Sequence, residues 1–188
     1  AYEISTRDWS SDVCSSDLTV APGCDADLFF LDTTPMANTA DDSHVLTTEL
    51  SGQSVETQMA WLESSLEKSK ADWKIVIAHH PVFSGGVHGD TPFLVERVLP
   101  LLKRHGVQAF FNGHDHDLQH LESGGVNFFC SGAGSAVRET SETKRTQFAI
   151  GNTQGFISVA LAPEQMELRM IDREGRGLYN CVVPVAVG

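Results

Sequence analysis

Two short stretches of this sequence carry side chains that could hold a metal ion. One is FNGHDHD, residues 111–117, which places His114 and His116 two apart, directly behind an apolar run and a glycine. The other is AHHP, residues 78–81, where His79 and His80 follow the apolar run KIVI. Imidazole is a good ligand for zinc, iron and similar ions, and the ligands of one ion must converge from separate loops. Gly113 is expected to supply the sharp backbone turn that lets His114 and His116 face a common centre. A lone histidine behind a strand is more commonly a surface or capping residue than a ligand. Two clusters in the same setting strengthen the case for a metal, and spacing alone carries it no further.

Those clusters need a scaffold, and hydrophobic patterning supplies one. DLFFLD (27–32) reads as a buried strand, followed by a polar loop over 33–53. Val55, Met59, Leu62 and Leu66 then fall at helical spacing, with Ser54 as N-cap and Glu56 in the first turn. WKIVIAHH (73–80) is a second strand, stopped by Pro81. Thr91 and Pro92 open a helix that runs through LVERVLPLLKRH to Gly106, with Pro100 predicting a kink. VQAFFN (107–112) and NFFCSGA (127–133) are two more strands, and 134–153 reads as a long surface loop. GFISVALA, QMELRMID and GLYNCVVPV are expected to form an antiparallel meander joined by the turns APE and REGR. Strand–helix alternation followed by strands alone implies an α/β domain whose sheet finishes with antiparallel strands. In such sheets ligands gather at the carboxyl ends of the strands, where both histidine clusters fall.

With 188 residues, 41% hydrophobic and 20% charged, the chain has the make-up of one globular domain and is too short for two. Its net charge of −12 offers no basic surface to nucleic acid or to an anionic membrane. An anionic substrate would need a local positive centre, such as a metal ion, to overcome that field. No apolar run is long enough for a membrane span, and AYEISTRDW lacks the apolar core of a signal peptide. The first residue is not methionine, so the true start is expected elsewhere. Cys14, Cys24, Cys130 and Cys181 show neither metal-site nor disulfide-framework spacing, and Cys130 reads as a small buried hydrophobe. Trp61 and the phenylalanine pairs 29/30, 110/111 and 128/129 are expected in the core.

The stretches FFLDTTPM, QMAWLESSL, IAHHPVFSGGVHGD, LLKRHGVQAFFNGHDHDLQHL and FFCSGAGS together resemble the C-terminal half of a calcineurin-like metallophosphoesterase of the purple (tartrate-resistant) acid phosphatase type. The likeness runs over residues 26–185 in the family's order; Ala78 stands where the family usually has glycine, a change that touches no ligand. It implies a layered α/β/β/α sandwich and a binuclear centre of iron(III) with iron, zinc or manganese. It further implies that His79 and His114 bind the divalent ion, that His116 binds the ferric one, and that His88 faces the substrate. A histidine there can bind phosphate or protonate the leaving alkoxide. Asp115 is then at most a support behind the ligands, and His44, His80, His105 and His120 are not ligands. The implied reaction is phosphate monoester hydrolysis, with a phosphate ester as substrate, no nucleic-acid or membrane partner, and export (secreted or periplasmic) as the expected location. A phosphodiesterase or nucleotidase of the same superfamily, a non-catalytic binding module and a mononuclear zinc hydrolase are the alternatives.

Three histidines cannot hold two ions. The family's other ligands sit in GD, GDxxY and GNH motifs, none of which occurs here, and the two tyrosines, Tyr2 and Tyr179, lie in other contexts. The chain is therefore expected to be a single incomplete domain whose site lacks its N-terminal ligands. AYEISTR resembles the stretch that follows the family's GNH loop. Behind it, WSSDVCSSDL has no family counterpart, and DVCSSDL is what the end of a common short-read sequencing adapter encodes. Residues 9–18 are accordingly expected to be a non-native insert.

Overall fold

A computed structural model describes residues 15–21 (backbone), 23–37 and 54–185. Among these residues ten strands and two helical segments follow in the order β1 (Ser15–Ala21), β2 (Cys24–Leu31), α1 (Val55–Lys68), β3 (Trp73–Ala78), a π turn (Leu94–Val98) leading into α2 (Leu99–Arg104), β4 (Ala109–Asn112), β5 (Leu118–Ser123), β6 (Val126–Ser131), β7 (Thr146–Ile150), β8 (Gly155–Leu161), β9 (Gln165–Asp172) and β10 (Gly177–Pro184). Seven strands make one mixed sheet in the order β1-β2-β3-β4-β6-β5-β7, and β10-β9-β8 make a second, antiparallel sheet. At the centre of the larger sheet β2, β3, β4 and β6 run parallel. Their carboxyl ends therefore lie side by side, as the strand–helix alternation requires.

The expected elements form for the expected reasons. Ser54 caps α1, its hydroxyl accepting from the Thr57 N–H at 3.2 Å, and Met59, Leu62 and Leu66 are buried on one face. Near Pro100 the helix widens instead of breaking. Proline has no N–H to return to the carbonyl four residues back, and the turn before it is π, with the Leu99 N–H reaching the Leu94 carbonyl. Gly106 ends the helix at φ +66°; its N–H and that of Val107 go back to the carbonyls of Lys103 and Leu102, at 3.4 and 2.9 Å.

Side chains alternate across the large sheet and build two cores. Phe29, Val76, Phe110 and Phe128 face the helices and meet Leu62, Leu66, Leu94 and Leu102. Ala26, Ile75, Ala109 and Phe129 face the small sheet and meet Met166, Leu168 and Met170. Each leucine or phenylalanine taken from water contributes about 1.5–3 kcal/mol, so a one-residue slip would cost both cores at once. The pairs 110/111 and 128/129 are core on opposite faces, and Trp61 packs on Phe29. Phe30 is the exception, at 41% exposed. Among the described residues the layers are helices, mixed sheet and antiparallel sheet.

Three strands go beyond the sequence reading. β1 pairs antiparallel with β2. It includes residues 15–18 of the segment read as an insert; residues 9–14 lie outside the described residues, as do His44, Cys14 and Tyr2. β5 and β6 form a hairpin closed by Gly124 and Gly125, at φ +65° and +85°, which is the demand of a tight primed turn. β7 lies within 134–153 and pairs with β5, so that stretch is only partly loop. The meander is a sheet of its own, closed at one turn by buried Asp172, which accepts from the backbone N–H groups of Glu174 and Arg176 at 3.0 and 2.8 Å.

Gly106→Ala should cost about 1 kcal/mol in urea unfolding, because an added methyl meets nothing within 4 Å and only the left-handed backbone resists it. His120 stacks on Phe129 at 4.5 Å between the sheets, and burial pulls its pKa below the ordinary 6.5. The unfolded chain thus takes up this proton at a higher pH than the folded one, and stability falls as pH drops below about 6.5. In His120→Gln, unfolding midpoints followed against pH should lose part of that slope; an unchanged slope would place the acid sensitivity elsewhere.

Candidate metal centre

The chemistry-bearing residues sit where the parallel strands end. β3 delivers His79 and His80, β4 delivers Gly113 and His114, the loop behind β2 brings Thr33, and the loop behind β6 brings Arg138. A bond from the Gly113 N–H to the His79 carbonyl, at 3.1 Å, ties the first two loops together. The sharp turn is made by His114 itself, at φ +64°, whereas Gly113 is not left-handed and has open space beside it. That corrects the role given to Gly113. A non-glycine residue rarely adopts this conformation, and such outliers gather at functional sites.

His79, His80 and His114 offer ligand atoms that all lie within 4.8 Å of one another. His79 Nε2 and His114 Nδ1 are 3.1 Å apart. Two imidazole nitrogens bound to one ion at about 2.0–2.1 Å would sit roughly 3 Å apart, so this spacing fits a shared cation. His80 was set aside as a non-ligand, yet its ring lies 4.5 Å from that of His114. Thr33 fixes it: the hydroxyl oxygen accepts from the His80 backbone N–H at 3.0 Å and pairs with Nδ1 at 2.9 Å. Holding one ring nitrogen this way orients an imidazole for a metal on its other side.

His116 does not join that group. It is half-buried, and its Nδ1 is enclosed with no hydrogen-bond partner among the described residues. An enclosed, unmatched imidazole nitrogen suits a metal bond. The donor set among the described residues thus amounts to one three-histidine cluster and a separate histidine beside it. His105 precedes β4, at the opposite end of the sheet, and His120 lies within β5.

His88 comes to the cluster from the loop after Pro81, its ring 4.1 Å from that of His114. Asp115 puts it there. This carboxylate is 1% exposed and accepts from the Ser84 hydroxyl, from the His88 backbone N–H at 3.1 Å and from His88 Nδ1 at 2.7 Å. On the far side of the ring an Arg138 N–H lies 3.3 Å from Nε2. Guanidinium only donates, so Nε2 is the acceptor and the ring proton sits on Nδ1, facing Asp115. The contacts leave no room for larger residues: a methyl on Gly86 would stand 2.4 Å from the Asp115 carboxyl carbon, and one on Gly132 would stand 1.9 Å from its carbonyl oxygen.

A second polar layer supports the first. Gln119 donates to both oxygens of buried Asp117 at 2.8 Å and to the Ser84 hydroxyl oxygen at 3.0 Å, while its own carbonyl accepts from the Gly85 N–H at 2.8 Å. Burial pushes the Asp117 carboxyl above its ordinary range, against the hydrogen bond from Gln119. Cys130 is buried as expected; burial raises its thiol pKa, and Sγ lies 3.3 Å from the carbonyls of Gly113 and Asp115. Asn112 closes β4 with a bond from its amide to the Gly113 carbonyl, at 2.9 Å.

Comparison with known proteins identifies relatives of the chain. Residues 13–118 match the calcineurin-like phosphoesterase family. The chain is 33% identical over 169 residues to tartrate-resistant acid phosphatase type 5 of Sus scrofa, covering 84% of this chain and 50% of that protein. It is 38% identical over 170 residues to purple acid phosphatase 17 of Arabidopsis thaliana, covering 83% and 50%. The chain thus spans about half the length of the curated relatives it matches. Among solved structures it resembles GAP50, the anchor in the inner membrane complex of Plasmodium, with a TM-score of 0.76 at 22% identity over 93% of this chain and 54% of that one. It also resembles purple acid phosphatase PPD1 from yellow lupin (Lupinus luteus) seeds, with a TM-score of 0.65 at 16% identity over 84% and 31%. The family match over residues 13–118 and the sequence likeness to these relatives lead to one conclusion: the chain belongs to the calcineurin-like phosphoesterase family and is related to the purple and tartrate-resistant acid phosphatases.

Proposed function

We propose that this chain is the C-terminal part of a binuclear-metal phosphomonoesterase of the acid phosphatase type. The observation that carries the reading is the cluster of His79, His80 and His114 beside a histidine that a buried carboxylate holds in place. His79 and His114 would hold a divalent ion, with His80 as a further imidazole for it. His116 would serve a ferric ion whose other ligands come from residues upstream of this segment. Bound there, the ions would neutralise the phosphate and lower the pKa of a water that attacks it.

The chain's own residues account for the rest. His88 stands against His114, where a phosphate on the ion would meet its Nε2. With a second proton taken up on Nε2, the charged ring would be stabilised by Asp115 through Nδ1; giving that proton to the leaving oxygen would return it to the neutral form. Thr33, Ser84 and Gln119 hold the ring geometry. An exported location rests on the relationship alone; no described helix is long and apolar enough to cross a membrane.

Two measurements test this. Calorimetric titration of the chain with zinc or manganese should give one dominant site. His114→Ala should weaken that site by about 100-fold or more, while His116→Ala leaves it within about twofold, since it lies outside the group. Equal losses for the two variants would merge the sites. Separately, the 188-residue chain loaded with metal should not turn over p-nitrophenyl phosphate, whereas the complete gene product should. Robust turnover by the chain alone would refute the division of ligands.

A further inference from the structure

Arginines in this strongly acidic chain are nearly all spoken for. Among the described residues Arg97, Arg104, Arg145, Arg169, Arg173 and Arg176 each pair with a carboxylate within 4.0 Å. Arg138 is the seventh, and its guanidinium meets the Nε2 of His88, at 3.3 Å. Its backbone is fixed on both sides. The Arg138 N–H donates to the His116 carbonyl, and its own carbonyl accepts from the Asn152 N–H, each at 2.9 Å. Asn152 takes a left-handed φ of +55° to make that bond, and a methyl on Gly151 would stand 2.5 Å from the Arg138 carbonyl oxygen. The backbone is thus fixed at the rim of the histidine cluster, and it carries an exposed guanidinium that rests on His88. Elsewhere on this surface such a group finds an acid.

We propose that Arg138 grips the phosphate of the substrate and sets the preference for monoesters over diesters, an inference that rests on the function proposed above. A guanidinium hydrogen-bonds to a neutral imidazole far more weakly than to a phosphate, whose oxygens match its fork. An arriving phosphate draws Arg138 off His88 Nε2. One movement therefore anchors the substrate and uncovers the nitrogen that faces the ester oxygen. A monoester has three peripheral oxygens, enough for the cation side of the site and for Arg138 together. A diester has two, and its second ester group would meet the guanidinium without an oxygen charge to offer it.

The test uses the full-length, metal-loaded protein carrying this segment, with Arg138→Met and Arg138→Lys. Metal content should equal that of the parent in both, because only the side chain changes and it makes no ligand contact. Calorimetric binding of inorganic phosphate should weaken about 10- to 100-fold in Arg138→Met and by less in Arg138→Lys. KM for p-nitrophenyl phosphate should rise by a similar factor, with a smaller change in kcat. The ratio of kcat/KM for p-nitrophenyl phosphate to that for bis-p-nitrophenyl phosphate should fall at least about tenfold. Phosphate affinity in Arg138→Met within twofold of the parent overturns the inference, as does a parent that binds no phosphate. A parent that binds phosphate through Arg138 yet hydrolyses neither ester retains the anion site and removes the proposed function instead.

Discussion

A carboxylate taken almost wholly out of water must find its donors inside the protein, and Asp115 is such a group. It sits between the two histidines of GHDH, so whatever fixes it also fixes the loop that carries them. Three donors converge on it: a serine hydroxyl, a backbone N–H and an imidazole. All three come from the loop after Pro81 that carries His88, which is otherwise a glycine-rich excursion from the core. Removing the carboxylate would release that loop and leave buried donors unmatched, a loss of about 1–3 kcal/mol for each. The site is assembled around this negative charge, and the cationic elements gather at its rim.

The strand ends were legible because central strands covered on both faces read as short continuous apolar runs. KIVI, AFF and NFFC are such runs, and the histidines follow directly behind the first two. β5 was not legible in the same way. LQHLES is covered on both faces but fills them partly with Gln119, which meets Asp117 and Ser84, and His120, which meets Tyr179 and Asn127. β7 hides in a polar stretch because as an edge strand its residues are only partly covered. The Gly124–Gly125 pair was the available signal for the hairpin that creates β5.

At the site, residue type marked the candidate ligands but not their conformations. That His114 and not Gly113 bears the left-handed turn follows from the three-dimensional path of the loop, which neighbouring residues enforce. His80 reads as the second member of a pair on a strand end, and its bond to Thr33, 47 positions away, helps turn its ring to the cluster. Arg138 has no local signature at all. Its place depends on contacts with His116 and Asn152 that no window of sequence contains.

The hairpin of β5 and β6 also bears on how such a chain comes together. Its two strands are joined by two residues, so they can pair within microseconds of one another's synthesis or release. The parallel pairing of β2 with β3 must instead close a crossover that contains all of α1, which is slower because chain entropy is lost before any strand contact repays it. Residues 113–117 join β4, the last member of the slow half, to the hairpin that is the quick one. The loop bearing His114, Asp115 and His116 is therefore the seam between two regions that acquire structure at different times, and it reaches its final shape only when both are in place.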